Sequence, residues 1–206
     1  MKRLILSMLL ATLWLLPLSA QESPYEDFMQ NAEGKAVLYR GRKALSYRNL
    51  RFNGTYYAYT KDYAEGSVMF NGKLYEGILL NIDACQQQLL SRWADAMPEV
   101  IIDSRKVRYF TIGQDKYLNL SEDGYDAAPG FYKVLRQDDS HFVVVLRTKT
   151  LHNSADNVNG AKIGYDDPDY NPEVFNYFSV TDKYYVIRDG VLKKIRRRKA
   201  LKMVNE

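Results

Sequence analysis

Phe52-Asn53-Gly54-Thr55-Tyr56-Tyr57 and Phe70-Asn71-Gly72-Lys73-Leu74-Tyr75 share the pattern F-N-G-x-x-Y at an offset of eighteen residues. An Asn-Gly pair between apolar and aromatic runs is the strongest short signal for a β-hairpin, because both residues tolerate the positive φ of a tight turn. The two copies therefore predict two hairpins. In the first, Tyr47 to Phe52 turns into Thr55 to Tyr59; in the second, Ser67 to Phe70 turns into Lys73 to Tyr75 and continues through Gly77 into Ile78 to Ile82. Alternation along the first hairpin places Tyr57 and Tyr59 on one face and Tyr56 on the other. A solenoid needs at least three stacked units, so the likeness of the two stretches reads as shared turn chemistry.

The same rhythm extends in both directions. Ala36 to Tyr39 reads as a first strand with Arg40-Gly41-Arg42 as its turn. Further strands are expected at Val100 to Ile102, Val107 to Ile112, Lys116 to Leu120, Phe131 to Arg136, His141 to Thr148 and Val180 to Arg188, the last turning at Asp189-Gly190 into Val191 to Ile195. Seventeen tyrosines, most of them inside these runs, suit a pleated and half-buried surface. Gln21 to Gly34 reads as a loose lead-in or a short helix around Tyr25 to Asn31, and Arg196 to Val204 as a short terminal helix. Ser121 to Gly130 and Leu151 to Asn171 read as loops. Between Ala84 and Met97, Cys85, Leu89, Trp93 and Met97 recur at steps of four, which lines one helix face. Local pattern there favours helix over a strand through Gln88 to Trp93. The whole predicts one all-β domain over 21–206, built mainly of antiparallel hairpins, as a sandwich or an open curled barrel with one or two short helices.

Gly54-Thr55-Tyr56-Tyr57, Gly66-Ser67-Val68, Asn71 to Tyr75, Leu79 to Asp83, Val107 to Phe110, Gly130 to Leu135 and Tyr184-Tyr185-Val186 to Ile195 follow in an order that resembles a group of exported Bacteroidota proteins of uncharacterised function. The resemblance spans roughly Tyr39 to Val204 and rests on the spacing of strands and turns. It implies a β-rich envelope protein and a strand near Gln88 to Trp93 in place of the helix. It implies no activity and supplies no catalytic residues. The polar segment Leu151 to Asn171 is longer here than in that pattern.

Lys2 and Arg3, the apolar run Leu4 to Leu16, and Ser19-Ala20 form the three regions of a secretory signal peptide over 1–20. The run is shorter than a membrane-spanning helix. The expected product is periplasmic or extracellular, and with Gln21 rather than cysteine after the cleavage point no lipid anchor is expected. The single cysteine, Cys85, excludes an internal disulfide and reads as a small buried hydrophobe. Net charge is +4, falling to +2 without Lys2 and Arg3. That balance gives no bulk argument for a polyanion, and no nucleic-acid partner is expected.

Catalytic signatures are missing: no G-x-S-x-G, H-E-x-x-H or G-x-x-x-x-G-K-[ST] occurs. His141, at a strand edge, and His152, in a loop, make a poor zinc supply with one cysteine, so no metal or other cofactor is expected. Asp166, Asp167 and Asp169 flank Pro168 and read as a solvated turn; the other readings are oxygen ligands for calcium or an acid–base pair acting on a sugar. Tyr57 and Tyr59 offer rings that stack on sugars or anchor a protein partner. These five residues are the candidate binding surface. Lys193, Lys194, Arg196, Arg197, Arg198, Lys199 and Lys202 concentrate positive charge at the end of the chain. They read as a solvated edge that discourages aggregation, with an acidic partner or anionic lipid as the alternative. The expected function is a non-enzymatic binding or accessory module of the envelope that contacts another envelope protein or a glycan. The alternatives are a glycan-directed hydrolase and a carrier of a small apolar ligand.

Overall fold

The structure, a computed structural model, describes residues 32, 34–44, 47, 51–95, 97–139, 141–153 and 176–206. Eleven strands form one sheet that does not close: β1 (Phe52–Asn53), β2 (Ala64–Phe70), β3 (Lys73–Asp83), β4 (Gln88–Arg92), β5 (Val100–Ile102), β6 (Val107–Ile112), β7 (Asp115–Leu118), β8 (Tyr132–Gln137), β9 (Phe142–Asn153), β10 (Asn176–Arg188) and β11 (Val191–Ile195). Their order is β1-β10-β9-β8-β7-β6-β2-β3-β4-β5, with β11 also on β10. Every pairing is antiparallel except that of β1 with β10. The mainly antiparallel, hairpin-built all-β fold is thus present. Among the described residues one α-helix, α1 (Arg197–Asn205), accompanies it, with 3-10 turns at Leu38–Arg40 and Ser104–Lys106.

The sheet curls until its β3–β4 turn reaches β9. The Lys149 amide donates to the Ala84 carbonyl at 3.0 Å, and Gln87 Nε2 donates to the Arg147 carbonyl at 2.9 Å. Inside the curl, Val68, Ile78, Leu80, Phe110, Tyr117 and Phe131 belong to the largest core cluster. The Phe110 and Tyr117 rings stack at 4.9 Å, and Phe131 meets Phe110 edge-on at 5.0 Å. On the other face Leu118, Tyr132, Val144 and Leu146 pack beneath Tyr125 and Ala127 of the loop that joins β7 to β8. A third cluster holds Ala200 and Met203 of α1 against Val143, Tyr184 and Val186.

Four expectations are corrected. Ala36 to Tyr39 is not a strand: the chain turns there, with Leu38 buried. Ala84 to Met97 is not a helix. Asp83 Oδ1 accepts from the Cys85 and Gln86 amides at 2.7 and 2.9 Å, and Gln87 takes a φ of 52°. This closes a four-residue turn into β4, where Leu89, Leu90 and Ser91 are all buried. Burial on both faces of a strand overrode the four-residue spacing, which joined a turn residue, a strand residue and two residues beyond the strand. His152 lies in β9 rather than a loop, with Nε2 2.7 Å from Ser179 Oγ and its ring stacked on Tyr177.

The fourth and largest correction concerns Phe52 to Tyr59. Asn71 and Gly72 adopt positive φ and turn β2 into β3 as expected. At the earlier copy only Gly54 does so; Asn53 stays extended in β1 beside Tyr177. Residues 55–59 form a strap across the curl instead of a strand. Thr55 O accepts from Lys149 Nζ at 2.7 Å, Tyr56 O from the Ala84 amide at 2.9 Å, and the Ala58 amide donates to Ile82 O at 2.9 Å. The leader at 1–20, the helix around Tyr25 to Asn31, and the segment beyond Asn153 with Asp166, Asp167 and Asp169 lie outside the described residues.

Candidate functional site

The structure separates the two rings expected on one face. Tyr57 is 9% exposed. Its hydroxyl donates to Glu99 Oε1, and its ring lies 4.2 Å from that of Tyr56, whose hydroxyl is 3.0 Å away. Burial, reinforced by Glu99, raises its phenol far above the ordinary value. The ring is a strut inside the strap and offers no face to a ligand. Tyr59 is 39% exposed. The Arg147 guanidinium stands 4.3 Å and Lys133 Nζ 4.8 Å from its ring centre, and burial pushes its hydroxyl up to about 12. Both cations are already matched. Lys133 meets Asp115 at 2.6 Å, and Arg147 forms a two-pronged pair with Asp182 at 2.8 Å. An incoming anion would have to displace a carboxylate there.

The turn after β3 gathers titratable groups that serve the strap. Asp83 is buried, and desolvation raises its carboxyl even though the Gln86 and Cys85 amides and the Tyr47 hydroxyl donate to it. Cys85 is half-buried, and burial followed by Asp83 pushes its thiol up to about 11, which leaves little thiolate at neutral pH. Burial and the neighbouring Arg147 lower Lys149 from the usual 10.5 to about 8.

A cleft of about 540 Å³ lies elsewhere, at the β5 end of the sheet. Gly41 creates it. A Cβ there would come within 1.9 Å of the Ile101 carbonyl oxygen, so the absence of a side chain lets the chain lie directly on β5. The Ile101 amide donates to Arg42 O at 2.8 Å and the Ala44 amide to Glu99 O at 2.9 Å, and this covers an otherwise open sheet edge. Leu38, Phe70 and Ile101 give the cleft an apolar floor, and Arg40, Arg42, Arg105 and Lys106 stand around it. The only carboxylate in the lining among the described residues is Asp103. It caps the 3-10 turn at Ser104–Lys106 and grips Arg105 with both oxygens, at 3.0 and 3.1 Å. That hydrogen-bonded pair holds the Asp103 carboxyl below the usual carboxylate range. Lys106 Nζ is 3.9 Å from the same carboxylate, while Arg40 and Arg42 have no carboxylate partner among the described residues. The lining therefore has a surplus of three positive charges over an apolar base.

The lowered Asp103 carboxyl, held by Arg105, is ionised at neutral pH. The arrangement suits holding an anion rather than moving a proton. Among the described residues no three His, Cys, Asp or Glu side chains come together as metal ligands, and no helix is long and apolar enough to cross a membrane. No protein-family model, curated protein or solved structure matches the chain. Sequence reasoning missed the cleft because its lining comes from three separated stretches. Its one local signal was two arginines flanking a glycine at Arg40-Gly41-Arg42.

Proposed function

We propose that the chain is an exported, non-enzymatic binding module of the bacterial envelope, and that the Arg40–Arg42 cleft holds an anionic ligand, a carboxylated or phosphorylated saccharide. The carrying observation is the surplus of three cations around an apolar floor, with two arginines that no carboxylate among the described residues neutralises. Planar guanidinium groups match carboxylate and phosphate oxygens in pairs. An apolar floor accepts the less polar face of a sugar ring, and the volume falls within the range of small-molecule sites. Export and an envelope setting are supported by the leader-like first twenty residues and by the resemblance in strand and turn spacing.

Calorimetric titration of the purified chain with trigalacturonate and with glucose 1-phosphate, each against its neutral counterpart, tests this reading. Binding to the acidic sugars alone is expected, weakening as salt rises and dropping at least about tenfold in the Arg40→Gln/Arg42→Gln variant, since hydrogen bonds to charged groups are worth roughly 1.5–3 kcal/mol each. Equal binding of the neutral sugars, or unchanged affinity in the double variant, would overturn it.

A further inference from the structure

A second positive region lies at the other end of the molecule and shares no residue with the cleft. Arg188 to Glu206 contains eight lysines and arginines against two carboxylates, a net +6; the whole chain is only +4, so the remaining 187 residues are net negative. The fold holds these charges on packed elements. β11 pairs with β10 through the turn at Asp189-Gly190, and α1 packs on the same hairpin through Ala200 and Met203. Between the hairpin tip and α1 runs a cleft of about 320 Å³. Val186, Ile195 and Met203 form its apolar base, and Arg188, Lys193 and Lys199 stand at its rim with a single carboxylate, Asp189, among the lining residues described. Val191, at the tip, is 63% exposed, the most exposed large apolar side chain among the described residues. Lys202 pairs with Glu206 at 3.5 Å, whereas Arg188, Lys193, Lys194, Arg196, Arg197, Arg198 and Lys199 have no carboxylate partner among the described residues.

Charge alone fits any polyanion; the side chains between the charges narrow the choice. Single-stranded nucleic acid is held on exposed aromatic platforms, and here the exposed apolar groups are aliphatic, Val191 and, on α1, Leu201. Aliphatic side chains among lysines and arginines are the composition that lies on a lipid surface, the apolar groups entering the headgroup layer while the cations meet phosphates. We infer that the β10–β11 tip and α1 together dock the protein on an anionic phospholipid surface, leaving the Arg40–Arg42 cleft free for its ligand.

Co-sedimentation of the full chain with phosphatidylcholine vesicles, with and without phosphatidylglycerol, tests the inference. Binding is expected only where phosphatidylglycerol is present, and it should fall as salt rises. Each surface-facing lysine is worth about fivefold in lipid affinity, so Lys193→Gln/Lys199→Gln should bind roughly 25-fold more weakly, and Val191→Ser should weaken binding further. Circular dichroism should show both variants folded, because all three side chains are exposed. Arg40→Gln/Arg42→Gln should dock as the parent does. Equal binding to pure phosphatidylcholine, undiminished docking of the Lys193/Lys199 variant, loss of docking in the Arg40/Arg42 variant, or capture by polyglutamate or duplex DNA with none by vesicles would each overturn it.

Discussion

Phe70-Asn71-Gly72 and Phe52-Asn53-Gly54 begin with the same three residues and end in different structures. The first closes on itself. Asn71 and Gly72 take φ of 50° and 79°, Phe70 pairs with Lys73 across the turn, and Val68 and Phe70 enter the core on one side of β2. The second is held by the rest of the molecule. Asn53 stays extended against β10, Gly54 alone takes a positive φ of 81°, and the strap that follows is fastened to Lys149, Ala84, Ile82 and Glu99. An Asn-Gly pair permits a hairpin; flanking arms that can bury alternate side chains against each other are what form one. The run Tyr56-Tyr57-Ala58-Tyr59 lacks that alternation: Tyr57 and Ala58 are buried in succession, Tyr56 joins a ring cluster with Tyr47, Phe52 and Phe178, and Tyr59 lies against Tyr117 instead.

The comparison breaks most visibly at the phenylalanines. Phe70 is buried in the main core, so Phe70→Ala should cost about 3–5 kcal/mol in urea unfolding. Phe52 is only half-buried, among aromatic neighbours able to close over the gap, and Phe52→Ala should cost less than about half of that. Equal losses would show that the strap belongs to the core as fully as the hairpin does. Gly54→Ala and Gly72→Ala come next. Both positions have positive φ, and neither has a heavy atom within 4 Å of an added Cβ, so each should lose about 1–2 kcal/mol from backbone strain alone. A much larger loss at Gly54 would mean that the strap's attachments fix its backbone more tightly than the turn fixes Gly72.

The Lys149 anchor supplies a pH test. Its ammonium has a lowered pKa of about 8 in the folded protein against 10.5 ordinarily. Above about pH 8 the unfolded chain therefore binds more protons there than the folded one does, and stability rises with pH. The gain should be about 1 kcal/mol once solvent screening of this partly exposed group is allowed for. The Cys85 thiol and the buried tyrosines, raised in the fold, act with the opposite sign once the unfolded groups ionise, the thiol near about pH 8.5 and the phenols near about pH 10. Measured in a Cys85→Ala background, the useful window is thus about pH 8 to 9.5. Lys149→Met should remove the rise there; a parallel rise in the variant would assign it to another group.

Much of the fold was legible because most turns are local. Asn71-Gly72, Gly113 and Asp189-Gly190 each sit between two strand-forming arms, and β2–β3, β6–β7 and β10–β11 form where the pattern places them. What escaped depends on distant partners. The strap needs β3 and β9, separated from it by dozens of residues, and β4 is recognisable only once both its faces are covered. The cleft was less legible still. Residues 37–42, Phe70 and 101–106 share no period, and the meaning of Arg40-Gly41-Arg42 emerges only when Gly41 lies against Ile101.

The smallest predicted effect isolates that lesson. Lys73→Thr/Leu74→Tyr gives the hairpin the strap's own residues after its glycine. Both side chains are exposed, Leu74 at 42%, and threonine and tyrosine suit a strand at least as well as the pair they replace. Stability should stay within about 0.5 kcal/mol of the parent, and amide exchange across the β2–β3 ladder should remain slow. The reciprocal change, Thr55→Lys/Tyr56→Leu, leaves F-N-G-K-L-Y at the strap, identical to the hairpin's hexapeptide. It should form no hairpin there, because the Lys149, Ala84 and Ile82 attachments are made to backbone atoms of residues 55, 56 and 58 that the substitution leaves in place. Its cost should come from the lost Tyr56 ring, which packs against Tyr47 at 4.5 Å and Tyr57 at 4.2 Å. New cross-strand contacts between residues flanking Asn53-Gly54, seen by nuclear Overhauser effects, would mean that the hexapeptide itself carries the turn and that the strap's attachments are its consequence.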